Sequence, residues 1–345
     1  MTSPDEFVLR PPVALGGRQD RPAREAAGRA ASRDGAAATG RDRVAGFDVL
    51  RLAALVAIVW FHTGAPGAEY MAWRLPTLAI ISATLAAGRG EPRPLAQQVR
   101  KSGSRLLLPW LFWCGVYGVV EVATYLRHGT SIVDELGGRM FLTGTSVHLW
   151  YLPFAFAMVL FVNVARRLTA GVRPSYSCLL AALLAVLSLA VLAIDKPYFG
   201  DEGTPAPQWL RCLPAVFLGL AVGTATRHAE LRRSGVIAVV LHNSAAYALI
   251  AAGLDDELAV RYGLAMLLVA LASTWRFEPP RWVAAAVGMA MGVYLVHMSV
   301  HRMVYAVSNR LPTPDLTPSA HAVVVIFLSF AAVWALLQSP LRRFV

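Results

Sequence analysis

Apolar runs long enough to cross a bilayer recur along the chain, each closed by a charged or Pro/Gly-containing connection. They lie at approximately 47–65, 71–88, 105–126, 148–165, 176–194, 208–226, 236–253, 258–275, 282–305 and 319–338. A helix needs about 20 such residues to cross a hydrocarbon core of about 30 Å, and within that core its backbone polar groups must be satisfied internally. The pattern therefore predicts an all-α polytopic bundle of about ten transmembrane helices. The second run is the weakest, being short and carrying Arg74 and Pro76 at its start.

Charge in the connections orients this bundle. One alternate set holds Arg89, Arg93, Arg100, Lys101 and Arg105, then Arg166, Arg167 and Arg173, then Arg227, Arg232 and Arg233, then Arg276 and Arg281, and finally Arg342 and Arg343. The opposite set is acid-rich, with Asp134, Glu135, Asp195, Asp201, Glu202, Asp255, Asp256 and Glu257. The positive-inside rule then places both termini in the cytoplasm.

Composition agrees with a membrane protein: 56% of the 345 residues are hydrophobic, too many for an ordinary soluble domain. The net charge of +11 comes from 30 Arg against 2 Lys, dispersed over short loops. Dispersed cations of this kind form no single basic face and do not point to a nucleic-acid partner. Residues 1–46 differ from the rest, with eight Arg and six acidic residues among Ala, Gly and Pro, and read as a disordered tail ahead of a membrane domain at 47–345. The tail has neither the apolar stretch of a secretory signal nor the acid-poor composition of a transit peptide. Cys114, Cys178 and Cys212 are too widely spaced for a disulfide framework or a zinc site and read as small buried hydrophobes.

Ionisable groups inside apolar runs carry the candidate chemistry. Arg51 and His62 lie eleven residues apart in FDVLRLAALVAIVWFH. Eleven steps of about 100° return to within about 20° of the starting direction, with a rise of about 16 Å, so both share one helix face. Such groups in hydrocarbon are by default functional hypotheses, although Arg51 with Asp48 also fits a snorkelling interfacial pair. On the orientation above, His62, Glu121, His148, Arg211 and His297 fall in the outer half of the membrane, as a cavity open to the outside would explain. Taken singly, His148, Arg211 and Arg74 read as headgroup-level anchors ahead of catalysis. Glu121, deep in an apolar helix, must be neutralised or paired. His297 and His301 have i, i+4 spacing but no H-E-x-x-H context, so no metal is assigned.

In order along the chain, these segments resemble the acyltransferase 3 family of ten-span membrane O-acyltransferases. The likeness rests on FDVLRLAALVAIVWFH with Asp48, Arg51 and His62, RKSGSRLLLPWLFW after the second span, HLWYLPFAF at 148–156, RCLPAVFLGLAVG at 211–223, and GVYLVHMSV at 292–300. It runs from about residue 46 to 340. Two features depart from the family's pattern. Ser82 is followed by Ala83 where the family usually carries Ser-Gly, and the cytoplasmic Arg-x-x-Arg is not reproduced, since Ser102 stands three residues before Arg105.

The resemblance implies transfer of an acyl group, most often acetyl, from acyl-CoA to a hydroxyl of a carbohydrate or glycolipid at the bacterial inner membrane. It implies His62 as general base, with Arg51 and Glu121 in its network. Arg100, Lys101 and Arg105 are the expected partners of the donor's phosphates, although the positive-inside rule explains them equally well. His148, Trp150, Arg211 and His297 are the expected acceptor-side residues. No tightly bound cofactor is expected. The competing class is a transporter or flippase of lipid-linked or acylated sugars, which polar groups at membrane depth would also suit. Dependence on acyl-CoA separates the two.

Overall fold

The computed structural model describes residues 45–88, 90–128, 143–194, 205–228, 244, 248, 252, 256–275, 277–310 and 316–345. The tail and the expected span at 236–253 therefore lie outside the described residues, apart from three isolated positions. Every regular element described is helical. The helices are α1 (Ala45–His62), α2 (Arg74–Gly88), α3 (Leu95–Ser102), α4 (Leu108–His128), α5 (Tyr151–Leu168), α6 (Pro174–Ile194), α7 (Pro205–Arg211), α8 (Leu213–Arg227), α9 (Asp256–Thr274), α10 (Arg281–Ser308) and α11 (Pro318–Leu337). Short 3₁₀ turns at Ala68–Trp73, Val147–Trp150 and Pro340–Phe344 and a π-helical turn at Gly103–Leu107 complete the described structure.

Eight helical segments among the described residues are long and apolar enough to cross a membrane, and Val260–Thr274 of α9 is a shorter apolar stretch. Their starts and stops follow the sequence. Pro174 and Pro318 open α6 and α11, where a missing N–H is harmless. Thr317 caps α11 by accepting from the Ala320 N–H. Leu179, Leu183 and Leu187 of α6 and Leu111 and Val119 of α4 are exposed, as lipid-facing side chains are in a membrane bundle.

The central element is α1, which packs against α2, α9, α10 and α11. Its closest approach is at Gly46, where an added Cβ would stand 1.9 Å from the Ala272 carbonyl oxygen of α9. The tightest pair is α2 with α8. Gly219 and Gly223 form a G-x-x-x-G face whose Cβ atoms would lie 2.6 Å from the Ile80 carbonyl oxygen and 2.5 Å from that of Thr84. Glycines at this spacing let two membrane helices meet backbone to backbone, where packing supplies the attraction that lipid cannot. Gly223→Leu is expected to lower thermal stability by about 1–3 kcal/mol through overpacking. Gly288→Leu, at a position with nothing within 4 Å of an added Cβ, is the control that should unfold with wild type.

Candidate functional site

The first site residue is placed by the end of α1. His62 is its last residue, and the chain then reverses through two glycines in the left-handed region, Gly64 at φ 65° and Gly67 at φ 77°. That conformation strains any side-chain-bearing residue and fixes both positions as glycine. The reversal is held back onto the helix by Trp60 Nε1–H donating to the Pro66 carbonyl (3.0 Å) and by the Thr63 hydroxyl donating to the Trp60 carbonyl (2.9 Å). The following 3₁₀ turn then delivers Arg74 over the ring of Phe61, its guanidinium carbon 3.6 Å from the centroid. Arg74 is buried, donates to the Met71 carbonyl at 2.9 Å, and acts electrostatically on His62. Its Nε–H is buried with no hydrogen-bond partner among the described residues.

Two further histidines reach His62 from other helices. His148 sits on the 3₁₀ turn that opens α5, its Nδ1 3.0 Å from the Ser146 hydroxyl and its carbonyl accepting from the Tyr294 hydroxyl. His297 lies mid-helix on α10, with Nδ1 2.7 Å from the Tyr294 carbonyl. A carbonyl can only accept, so Nδ1 carries the hydrogen and Nε2 of the neutral ring carries a lone pair. The ring centroids of His62 and His297 are 5.3 Å apart, those of His148 and His297 5.0 Å, and those of His62 and His148 6.5 Å. His148 and His297 are fully buried, whereas His62 is half-buried. Nε2 of both buried rings lacks a hydrogen-bond partner among the described residues, an arrangement usually disfavoured in a low-dielectric interior. Tyr117 braces the cluster: its ring lies 5.1 Å from His148, its hydroxyl donates to the Leu295 carbonyl at 2.7 Å, and it accepts the Ser299 N–H at 3.2 Å.

The other expected residues separate from this cluster to different degrees. Arg51 lies 4.0 Å from Asp48 on α1 and acts electrostatically on Tyr151. Tyr151 packs against Tyr294 at 5.9 Å between centroids, and Tyr294 packs against His148 at 5.7 Å, so a row of rings runs from Tyr151 to the histidines. Glu121 is paired with Arg302 of α10 at 2.6 Å rather than with a histidine of the cluster. Trp150 is buried against Tyr151 and Phe154. Arg211 closes α7, where its carbonyl accepts from the Tyr262 hydroxyl of α9. His301 Nδ1 stands 2.8 Å from His321 Nε2 of α11. Among the described residues, no group of three or more His, Cys, Asp or Glu side chains is arranged to hold a metal ion.

Arg100, Lys101 and Arg105 form a separate exposed patch. The first two lie on α3, and Arg105 on the π-helical turn that joins it to α4. Buried Gln98 and Ser102, hydrogen-bonded to each other at 2.7 Å, form the inner face of α3, which packs on α5. The preceding loop is clamped by Asn163 of α5, which exchanges hydrogen bonds with both backbone groups of Arg93. The π-helical turn offsets α3 from α4, the sort of local irregularity that recurs at functional positions.

Comparison with known families meets this geometry over nearly the whole described structure: the acyltransferase 3 model, an acyltransferase domain, matches residues 44–338. The chain belongs to the acyltransferase 3 family. It is a multi-pass membrane acyltransferase, and the resemblance read from its segments is shown. Comparison with curated proteins and with solved structures gives no match. Within this acyltransferase 3 domain, sequence reasoning passed over Tyr117, Tyr294 and Arg302 and took Arg74 for a headgroup-level anchor. Tyr294 carried a signal, standing three residues before His297 on one helix face, and Arg302 could have been sought as the counter-ion of Glu121. Arg74 was visible as a charge at the start of an apolar run, but the 3₁₀ turn that carries it over Phe61 has no clear pattern.

Proposed function

We propose that this chain is an O-acyltransferase that moves an acyl group, most simply acetyl, from acyl-CoA to a hydroxyl of a carbohydrate or glycolipid acceptor, with His62 as general base. The observation that carries the reading is the convergence of His62, His148 and His297 from three helices beside the buried Arg74. Of the three imidazoles only His62 is part-exposed and so within reach of a substrate.

An acceptor hydroxyl is a weak nucleophile at neutral pH and needs its proton removed as it attacks. The unprotonated ring nitrogen of His62 takes that proton while the acceptor oxygen bonds to the thioester carbonyl carbon. The tetrahedral oxyanion then collapses, the carbon–sulfur bond breaks, and the departing thiolate recovers the proton from His62. The products are an ester and the free CoA thiol, with no net proton change. Arg74, whose Nε–H has no acceptor among the described residues, is the group suited to the oxyanion. His297 is the positioning residue, since its Nε2 lone pair can receive the ring N–H of His62.

Arg100, Lys101 and Arg105 are proposed to hold the donor's phosphates at the cytoplasmic surface. The row of Tyr151 and Tyr294 running to the histidines would then flank the pantetheine arm. The setting proposed is a bacterial inner membrane with both termini cytoplasmic. The test is thermal unfolding in lipid nanodiscs titrated with acetyl-CoA, CoA and ATP. A ligand at a hundred times its dissociation constant stabilises by about 2.7 kcal/mol. Acetyl-CoA and CoA are expected to stabilise saturably, ATP much less, and Arg100→Glu/Arg105→Glu should abolish the effect. No stabilisation at millimolar acetyl-CoA would overturn the donor assignment and favour a carrier of acylated sugars.

A further inference from the structure

We propose that a second cavity, walled by α2, α5, α6 and α8, binds one anionic phospholipid of the surrounding leaflet. Its volume is about 260 Å³, and its lining includes none of the three histidines or the residues that brace them. The inner wall is apolar, made by Leu184, Phe217 and Leu220. Phe161 and Leu180 also line it and are 43% and 54% exposed on the lipid-facing surface, so the cavity opens sideways into hydrocarbon, where an acyl chain can enter.

The rim has the opposite chemistry. Arg166 donates to the Ala86 carbonyl at 3.1 Å and to the Gly90 carbonyl, and Glu91, which also lines the cavity, acts on it electrostatically. Arg227 lies 3.1 Å from Glu91, whose side chain is 89% exposed. An exposed pair of this kind is weak and exchangeable, leaving Arg227 able to turn to a phosphate. The start of α6 lines the same rim through Pro174 and Ser177, adding the positive end of a 21-residue helix. Arginines over an apolar slot at the basic face of a membrane bundle match a phosphate headgroup above an acyl chain. An acyl-CoA would share that chemistry. The lateral opening, however, favours the lipid.

The experiment is native mass spectrometry of the delipidated full chain in detergent. It is reloaded in parallel with phosphatidylglycerol, phosphatidylcholine, acetyl-CoA or inorganic phosphate, and thermal unfolding is measured on the same samples. Phosphatidylglycerol is expected to be retained one per chain, and its preference over phosphatidylcholine should fall by about tenfold or more in Arg166→Gln/Arg227→Gln. Leu184→Trp, which fills the slot and keeps both arginines, should also lose the lipid, so the test survives if the double variant fails to fold. Equal retention of both lipids by wild type would overturn the proposal. So would a preference unchanged in both variants, or equal protection by phosphate or acetyl-CoA.

Discussion

His62→Gln is expected to lower acyl transfer by about 10²–10⁴-fold, the usual contribution of a positioned general base. The substitution keeps a polar side chain of similar reach at the end of α1, so the reversal through Gly64 and Gly67 and the Trp60 to Pro66 hydrogen bond should persist. Unfolding temperature and the response to acetyl-CoA are therefore expected to stay near wild type while turnover collapses. His297→Asn should cost less, because it removes an orienting acceptor and leaves the base. A different result, with His297 variants inert and His62 variants active, would exchange the two roles.

Arg74→Gln is expected to reduce turnover by about 10²–10³-fold, the range observed when one oxyanion donor is removed. Arg74 is buried, stacked on Phe61 and hydrogen-bonded to the Met71 carbonyl, so its cation is held in place before substrate arrives. An interaction made only in the transition state lowers kcat without a matching rise in KM. The measurement is that split, with acetyl-CoA varied at fixed acceptor. Arg74→Lys should recover part of the loss through its charge, but not all, because an ammonium lacks the planar donor geometry and stacks less well on Phe61. A purely structural Arg74 would instead show lower stability with kcat unchanged per folded molecule.

The bundle was readable because hydrocarbon demands long apolar helices and punctuates them with charge. The runs at 47–65, 148–165 and 319–338 correspond closely to α1, α5 with its leading 3₁₀ turn, and α11. The Arg51 and His62 face was readable from helical period alone. What the pattern could not reveal was partnership across the chain. Glu121 demanded a counter-charge, yet nothing local names Arg302, 181 positions later. His148 read as an anchor because a 3₁₀ turn at a span boundary looks the same whether it faces headgroups or folds inward. Arg74 read likewise, although the reversal after α1 carries it back over Phe61. The basic cluster read equally as a phosphate site and as loop charge, and the eight-residue amphipathic helix that carries it, followed by a π-helical turn, is too short for periodicity to reveal.

Acyl transfer with His62 as base is tested most directly by following release of CoA thiol from acetyl-CoA by the nanodisc-embedded protein, with and without a carbohydrate-rich envelope extract as acceptor. Wild type and His62→Gln are compared at equal donor occupancy. Acceptor-dependent thiol release is expected from wild type, with radiolabelled acetyl recovered as an ester on glycan, and its loss is expected in the variant. Equal release by both proteins, or acetyl recovered on nothing but water, would contradict it.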